Sequence, residues 1–144
     1  MDKLTAISNY DLWMSLVKVH HSLFFLRQKE LNPSHIAAQQ LQVLRVIQGL
    51  GADATLSTIA KKVERKLDVI SRQAVRMEKD GLIRRVKDSP KSRLLRIELT
   101  AKGIEMLKIS RESESINAVL SVLTEEERRQ MHTALNKILI RLGQ

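Results

Sequence analysis

Apolar residues near the start of the chain recur at helical intervals. Leu12, Leu16, Val19, Leu23 and Leu26 form one row, and Trp13, Val17, His20 and Phe24 form a neighbouring one. The pattern predicts a helix over residues 5–29 with a wide apolar arc. A helix resting on one surface uses one row, so two rows imply two surfaces. Asn32-Pro33 interrupts the pattern, with Pro33 favoured as the first residue of a new turn. A second helix follows over residues 34–48, with Ile36, Leu41, Leu44 and Ile47 inward, and Gly49 and Gly51 close it.

The next stretch reads as two short helices around a turn. Thr55 caps a helix running through Lys62, with Leu56, Ile59, Ala60 and Val63 facing a core. A break at 64–66 leads into a helix over residues 67–80. There Ile70, Ala74 and Met77 share one face, while Val69, Arg72 and Arg76 share another roughly 130° away. Gly81 ends this helix. Leu82 to Val86 then reads as a strand, and the turn signal Asp88-Ser89-Pro90-Lys91-Ser92 separates it from an alternating strand at 93–99. Thr100 caps a long helix predicted over residues 101–120. Thr124 with Glu127 forms a capping box for a last helix whose acidic first turn suits the helix dipole.

Two helices about a turn, followed at once by a β-hairpin, make a winged helix. The predicted fold class is mainly α with one small hairpin: a winged helix-turn-helix lobe at 34–100 and dimerisation helices at 1–31 and 101–144, within a single domain of 1–144. The length of 144 residues suits one domain, and 43% apolar residues suffice for a core.

Charge changes the picture more than length does. The net charge is +9, which alone suits nucleic acid, an anionic membrane or an acidic partner. Residues 57–96 hold thirteen Lys and Arg against five Asp and Glu and so carry +8, while 1–56 carries +1 and 97–144 is neutral. The excess therefore falls on the helix-turn-helix and its hairpin. The second helix suits the major groove of duplex DNA, and the hairpin tip reaches an adjacent groove or phosphate line. Amphipathic membrane association is disfavoured, because turn and strand residues interrupt the basic block. No apolar run approaches the roughly 18 residues of a membrane span, and residues 1–10 lack the layout of a secretory signal. A cytoplasmic protein is expected. With no cysteine, disulfides, thiolate metal sites and thiol-based redox sensing are excluded.

The same residues resemble the MarR-type winged-helix transcriptional regulators of bacteria and archaea. The resemblance covers about 37–105. It rests on Gln40-Leu41-Gln42-Val43-Leu44, Thr55 to Ala60, Ser71-Arg72 in the recognition helix, Met77-Glu78-Lys79-Asp80-Gly81-Leu82-Ile83-Arg84-Arg85, Arg93, and Leu99-Thr100-Ala101-Lys102-Gly103. Met77 stands where the family usually has Leu. Members often carry an Asp two residues before the wing Arg; here that position is Lys91, with Asp88 three earlier.

The resemblance implies a homodimer built from the terminal helices, with two recognition helices entering successive major grooves of a pseudo-palindromic operator. The near-neutral, apolar terminal helices agree with an interface on their own account. A repressor released by a small-molecule effector is the expected function. The competing reading is a winged-helix interaction module whose basic face docks an acidic protein.

Arg72 and Arg76 lead the DNA-contact candidates, followed by Arg65, Lys66, Asp68, Val69, Ser71 and Gln73 around the recognition helix. Arg93 is favoured for phosphate or minor-groove contact, and Lys87 and Lys91 for phosphate. The family's effector cleft suggests Trp13, His20, Phe24 and His35 as lining residues, although core or interface packing explains most aromatics equally well. Adjacent His20 and His21 point about 100° apart on a helix and poorly suit one metal. No catalytic constellation, metal or cofactor is expected: the chain lacks a phosphate-binding glycine loop, a nucleophile elbow and a His-Glu-x-x-His motif.

Overall fold

The computed structural model describes residues 6–32 and 36–144. Pro33 and Ser34, expected to open the second helix, and the effector candidate His35 lie outside these. Helix α1 spans Asn9–Leu31, with the Ser8 side chain accepting from Asp11 N at 3.0 Å as its cap. Helix α2 spans Ala38–Leu50. Its first N–H groups are satisfied by glutamine side chains: Gln40 Oε1 accepts from Ala37 N, and Gln28 Oε1, from α1, accepts from Ala38 N. That second bond ties α1 to the start of α2.

A single 3-10 turn, Gly51–Asp53, leads to α3 (Leu56–Val63), where Thr55 caps as expected by accepting from Thr58 N. The turn after α3 places Glu64 in the left-handed region at φ 55, and α4 follows over Leu67–Lys79. Strands β1 (Ile83–Lys87) and β2 (Leu95–Leu99) pair antiparallel, with Ile83 opposite Leu99 and Lys87 opposite Leu95. On its other edge β2 bonds the 3-10 turn, where Ile97 N donates to Ala54 O at 2.8 Å.

The helix expected over residues 101–120 is two helices. α5 covers Ala101–Arg111 and α6 covers Glu114–Leu120. The polar run Ser110 to Ser115 explains the break, because serine hydroxyls compete with the helix ladder for backbone partners. Ser110 Oγ bonds back to Leu107 O, and Ser113 caps α6 by accepting from Ile116 N. α7 spans Glu125–Arg141 behind the expected Thr124–Glu127 capping box.

The chain divides into two compact units, 1–112 and 113–144, meeting at that break. The core of the first gathers Leu41 and Leu44 of α2, Ile59 of α3, Ile70 and Met77 of α4, and Ile83 and Ile97 of the hairpin, all nearly inaccessible. These residues hold α4 with its other face outward. α1 contributes Leu31 to this core, but Tyr10, Leu12, Trp13, Val17, Val19 and Phe25 stay exposed. In the second unit Ile138, Leu139, Ile140 and Leu142 of α7 and its C-terminal cap are exposed as well. Among the described residues, no helix is long and apolar enough to cross a membrane.

Candidate nucleic-acid interface

Helix α4 separates its residues as the sequence pattern requires. Ile70, Ala74 and Met77 are buried, whereas Val69, Arg72 and Arg76 are exposed. Ser71 and Gln73 flank that stripe half-buried, and Lys66 stands exposed at the helix start. Asp68 lies one turn before Arg72, with its Oδ2 3.6 Å from the guanidinium and both side chains more than 70% exposed. Such a contact in water is weak and exchanges readily for another anion. Arg76 has no acidic partner among the described residues.

Strand pairing sorts the charges of the hairpin. Arg84 lies opposite Glu98 and bonds it through Nε and a terminal nitrogen at 3.1 and 2.9 Å. Arg96 directs Nε and a terminal nitrogen at Asp88 Oδ1, at 2.7 and 2.6 Å. Arg85 Nε stands 3.5 Å from Glu78 of α4. The cations left without an acidic partner among the described residues are Lys87, Lys91 and Arg93, all exposed and all at or near the hairpin tip. Asp88 is thus committed to Arg96 and does not orient Arg93. Local charge repeats the division seen in the sequence: the acids of this region neutralise the base of the wing, while its tip and the α4 stripe remain positive.

A convex basic helix beside a basic hairpin tip matches a duplex in shape and sign, since an α-helix fits the major groove and cations displace condensed counterions from phosphate. Residues 36–93, which include α3, α4, β1 and the wing tip, match the family model described as the MarR family. The structure of MepR from S. aureus in complex with DNA is 26% identical, covers 96% of this chain and 99% of its own, and superposes with a TM-score of 0.71. Over residues 36–93 the chain is similar to the MarR family.

Two other solved structures share the fold. Ligand-free MarR from E. coli is 22% identical over 89% of this chain and 96% of its own, with a TM-score of 0.75. The organohalide-sensing transcriptional regulator RdhR bound to 2,4-dichlorophenol is 24% identical over 96% of this chain and 87% of its own, with a TM-score of 0.73. No curated protein sequence matches the chain.

Among the described residues, two cavities of the first unit border the candidate residues. An open cleft of about 720 Å³ lies between the α1–α2 junction and α4, and Val69, Arg72, Gln73 and Arg76 form its α4 wall. The second, about 470 Å³, includes His20, Phe24, Arg27, Arg45 and Arg65 in its wall. The effector candidates therefore separate. His20 and Phe24 come together, ring centroids 5.9 Å apart, but Trp13 is 59% exposed and packs edge-on against Tyr10. Arg65, read from sequence as a DNA contact, is half-buried at the cavity wall. Arg27 and Arg45 escaped the sequence reading because they are isolated cations in near-neutral segments. Only the folding of α2 against α1 brings them to one space.

Proposed function

We propose that this chain is a homodimeric transcriptional regulator that binds double-stranded DNA, acts as a repressor in the cytoplasm, and reads a pseudo-palindromic operator. The exposed Val69–Arg72–Arg76 stripe on a helix anchored by Ile70, Ala74 and Met77 carries this reading. The DNA complex of MepR supports it by likeness of fold and sequence. In this scheme Arg72 and Arg76 reach base edges or flanking phosphates in the major groove, with Lys66, Asp68, Ser71 and Gln73 beside them. Arg93 enters the neighbouring minor groove or its phosphate line, and Lys87 and Lys91 contact phosphate. The terminal helices of both units, 1–31 and 101–144, join two copies, which sets half-sites one helical turn apart. A small-molecule effector held between α1 and the DNA-binding lobe modulates the complex.

The test is selection of bound sequences from a random duplex pool, followed by gel shifts on the selected site. Two half-sites about one turn apart are expected. Arg72→Ala and Arg76→Ala each weaken that site by about tenfold or more, whereas Lys87→Ala weakens all sequences and lowers the salt slope by about one. Wild-type affinity in the double arginine variant, or a pool with no enriched sequence, overturns the reading; a preference for acidic proteins without a DNA footprint replaces it with an interaction module.

A further inference from the structure

Three apolar side chains of α4, Leu67, Val69 and Val75, are exposed beside its cations. Their positions on the helix separate them. At about 100° per residue, Leu67 lies about 60° from Ile70, on a flank turned toward the core. Val75 stands one turn before Glu78, whose carboxylate meets Arg85 of β1 at 3.5 Å, and so belongs to the wing side of the helix. Val69 falls on the outward stripe, about 20° from Arg76 and about 60° from Arg72. It also sits in the first turn of α4, the end of a recognition helix that approaches base edges.

Helix stability does not call for valine at this position. Val69 is 36% exposed, and alanine is the better helix former. What valine adds is a rigid apolar surface: in a helix a β-branched side chain keeps essentially one rotamer, so its methyl groups are held in place and lose little freedom on contact. The edges of the base pairs in the major groove are donors and acceptors with one apolar exception, the 5-methyl group of thymine. A valine set against any other edge leaves a polar group without water or partner.

We infer that Val69 is a specificity-determining residue that selects thymine in each half-site by packing on its 5-methyl group, an inference that rests on the DNA reading proposed above. The geometry also fixes where that thymine lies. Val69 precedes Arg72 by about 4.5 Å along the helix axis, against about 3.4 Å between stacked base pairs. The thymine therefore falls within about two base pairs of the base or phosphate that Arg72 meets. Val69 carries no charge, so its contact displaces no counterion and is independent of salt.

The experiment replaces thymines of the selected site by uracil, one position at a time and in both half-sites. Uracil keeps every hydrogen-bonding group of thymine and lacks only the methyl. At one position the replacement weakens wild-type binding by about fourfold for each half-site, the fold-change expected for losing one buried methyl. Val69→Ala, melted in parallel to verify folding, weakens binding to the thymine site by a similar factor, leaves the salt slope unchanged, and no longer distinguishes thymine from uracil at that position. Val75→Ala retains the full distinction. A half-site in which no thymine methyl matters, a methyl effect that survives Val69→Ala, or one lost equally in Val75→Ala overturns the assignment and leaves the DNA reading standing. A pool with no enriched sequence overturns both.

Discussion

Gly103 shows why a small residue is required at one position of the Leu-Thr-x-x-Gly stretch. A β-carbon there would meet Leu82 O at 2.2 Å, where α5 crosses the entry to β1. The same corner is tied by Thr100, whose hydroxyl accepts from Gly103 N and donates to Gly81 O. Gly103→Ala must push backbone against backbone, so a loss of about 1–3 kcal/mol is expected despite the better helix propensity of alanine. Urea unfolding checks it, and an unchanged midpoint refutes the close approach. The capping role of Thr100 was legible, because Thr before an apolar-periodic run has a local meaning. The need for Gly103 was not, since its neighbour Leu82 lies on another element. Met77 is the converse: helical spacing alone placed it inward, and it is fully buried.

Among elements, the wing was legible in outline and illegible in its ion pairs. Alternation and the Asp-Ser-Pro turn located both strands, though β2 begins at Leu95, two residues after the expected start. Which acid holds which arginine depends on register, and register placed Glu98 opposite Arg84 and brought Asp88 within reach of Arg96. Asp88→Asn should alter stability by less than about 1 kcal/mol, because the pair is partly in water. It also removes one negative charge and releases Arg96, so the salt dependence of DNA binding should steepen by about one. Titrating affinity against salt reads this, and an unaltered slope would place Arg96 out of reach of phosphate. The break between α5 and α6 was hidden for a related reason. Apolar residues on both sides kept a helical period, and the polar serines between them looked like a solvated face until their hydroxyls bonded backbone.

For the whole molecule, the faces left apolar matter most. Tyr10, Trp13 and Val17 follow i, i+3, i+7 spacing on α1 and are all exposed, which a lone chain in water does not favour. The width of the α1 apolar arc announced a second partner surface in the sequence, whereas the identity of that partner is not written in periodicity. With a second copy as partner, Trp13→Lys introduces a charge into the interface twice per dimer. Sedimentation velocity should find the wild type dimeric and the variant shifted toward monomer by about 2 kcal/mol or more. The wild-type melting temperature should rise with protein concentration, as it does when folding and association are linked. A concentration-independent melt with a monomeric wild type would assign the α1 face elsewhere. The cavity arginines belong to this scale too, since residues 27, 45 and 65 share a space only once three elements have assembled.

Glu64 holds the turn between α3 and α4 in a left-handed backbone at φ 55, a conformation that disfavours any residue with a β-carbon by about 1–2 kcal/mol. Packing of Val63 and Ile70 on either side keeps it there. The joint that aims the recognition helix is thus under local tension, and the angle of α4 is set by the core behind it and not by the turn itself. Changes deep in that core, far from any nucleotide, therefore have a route to re-aim the helix, and sequence preference in this chain can drift without a single substitution on its exposed stripe.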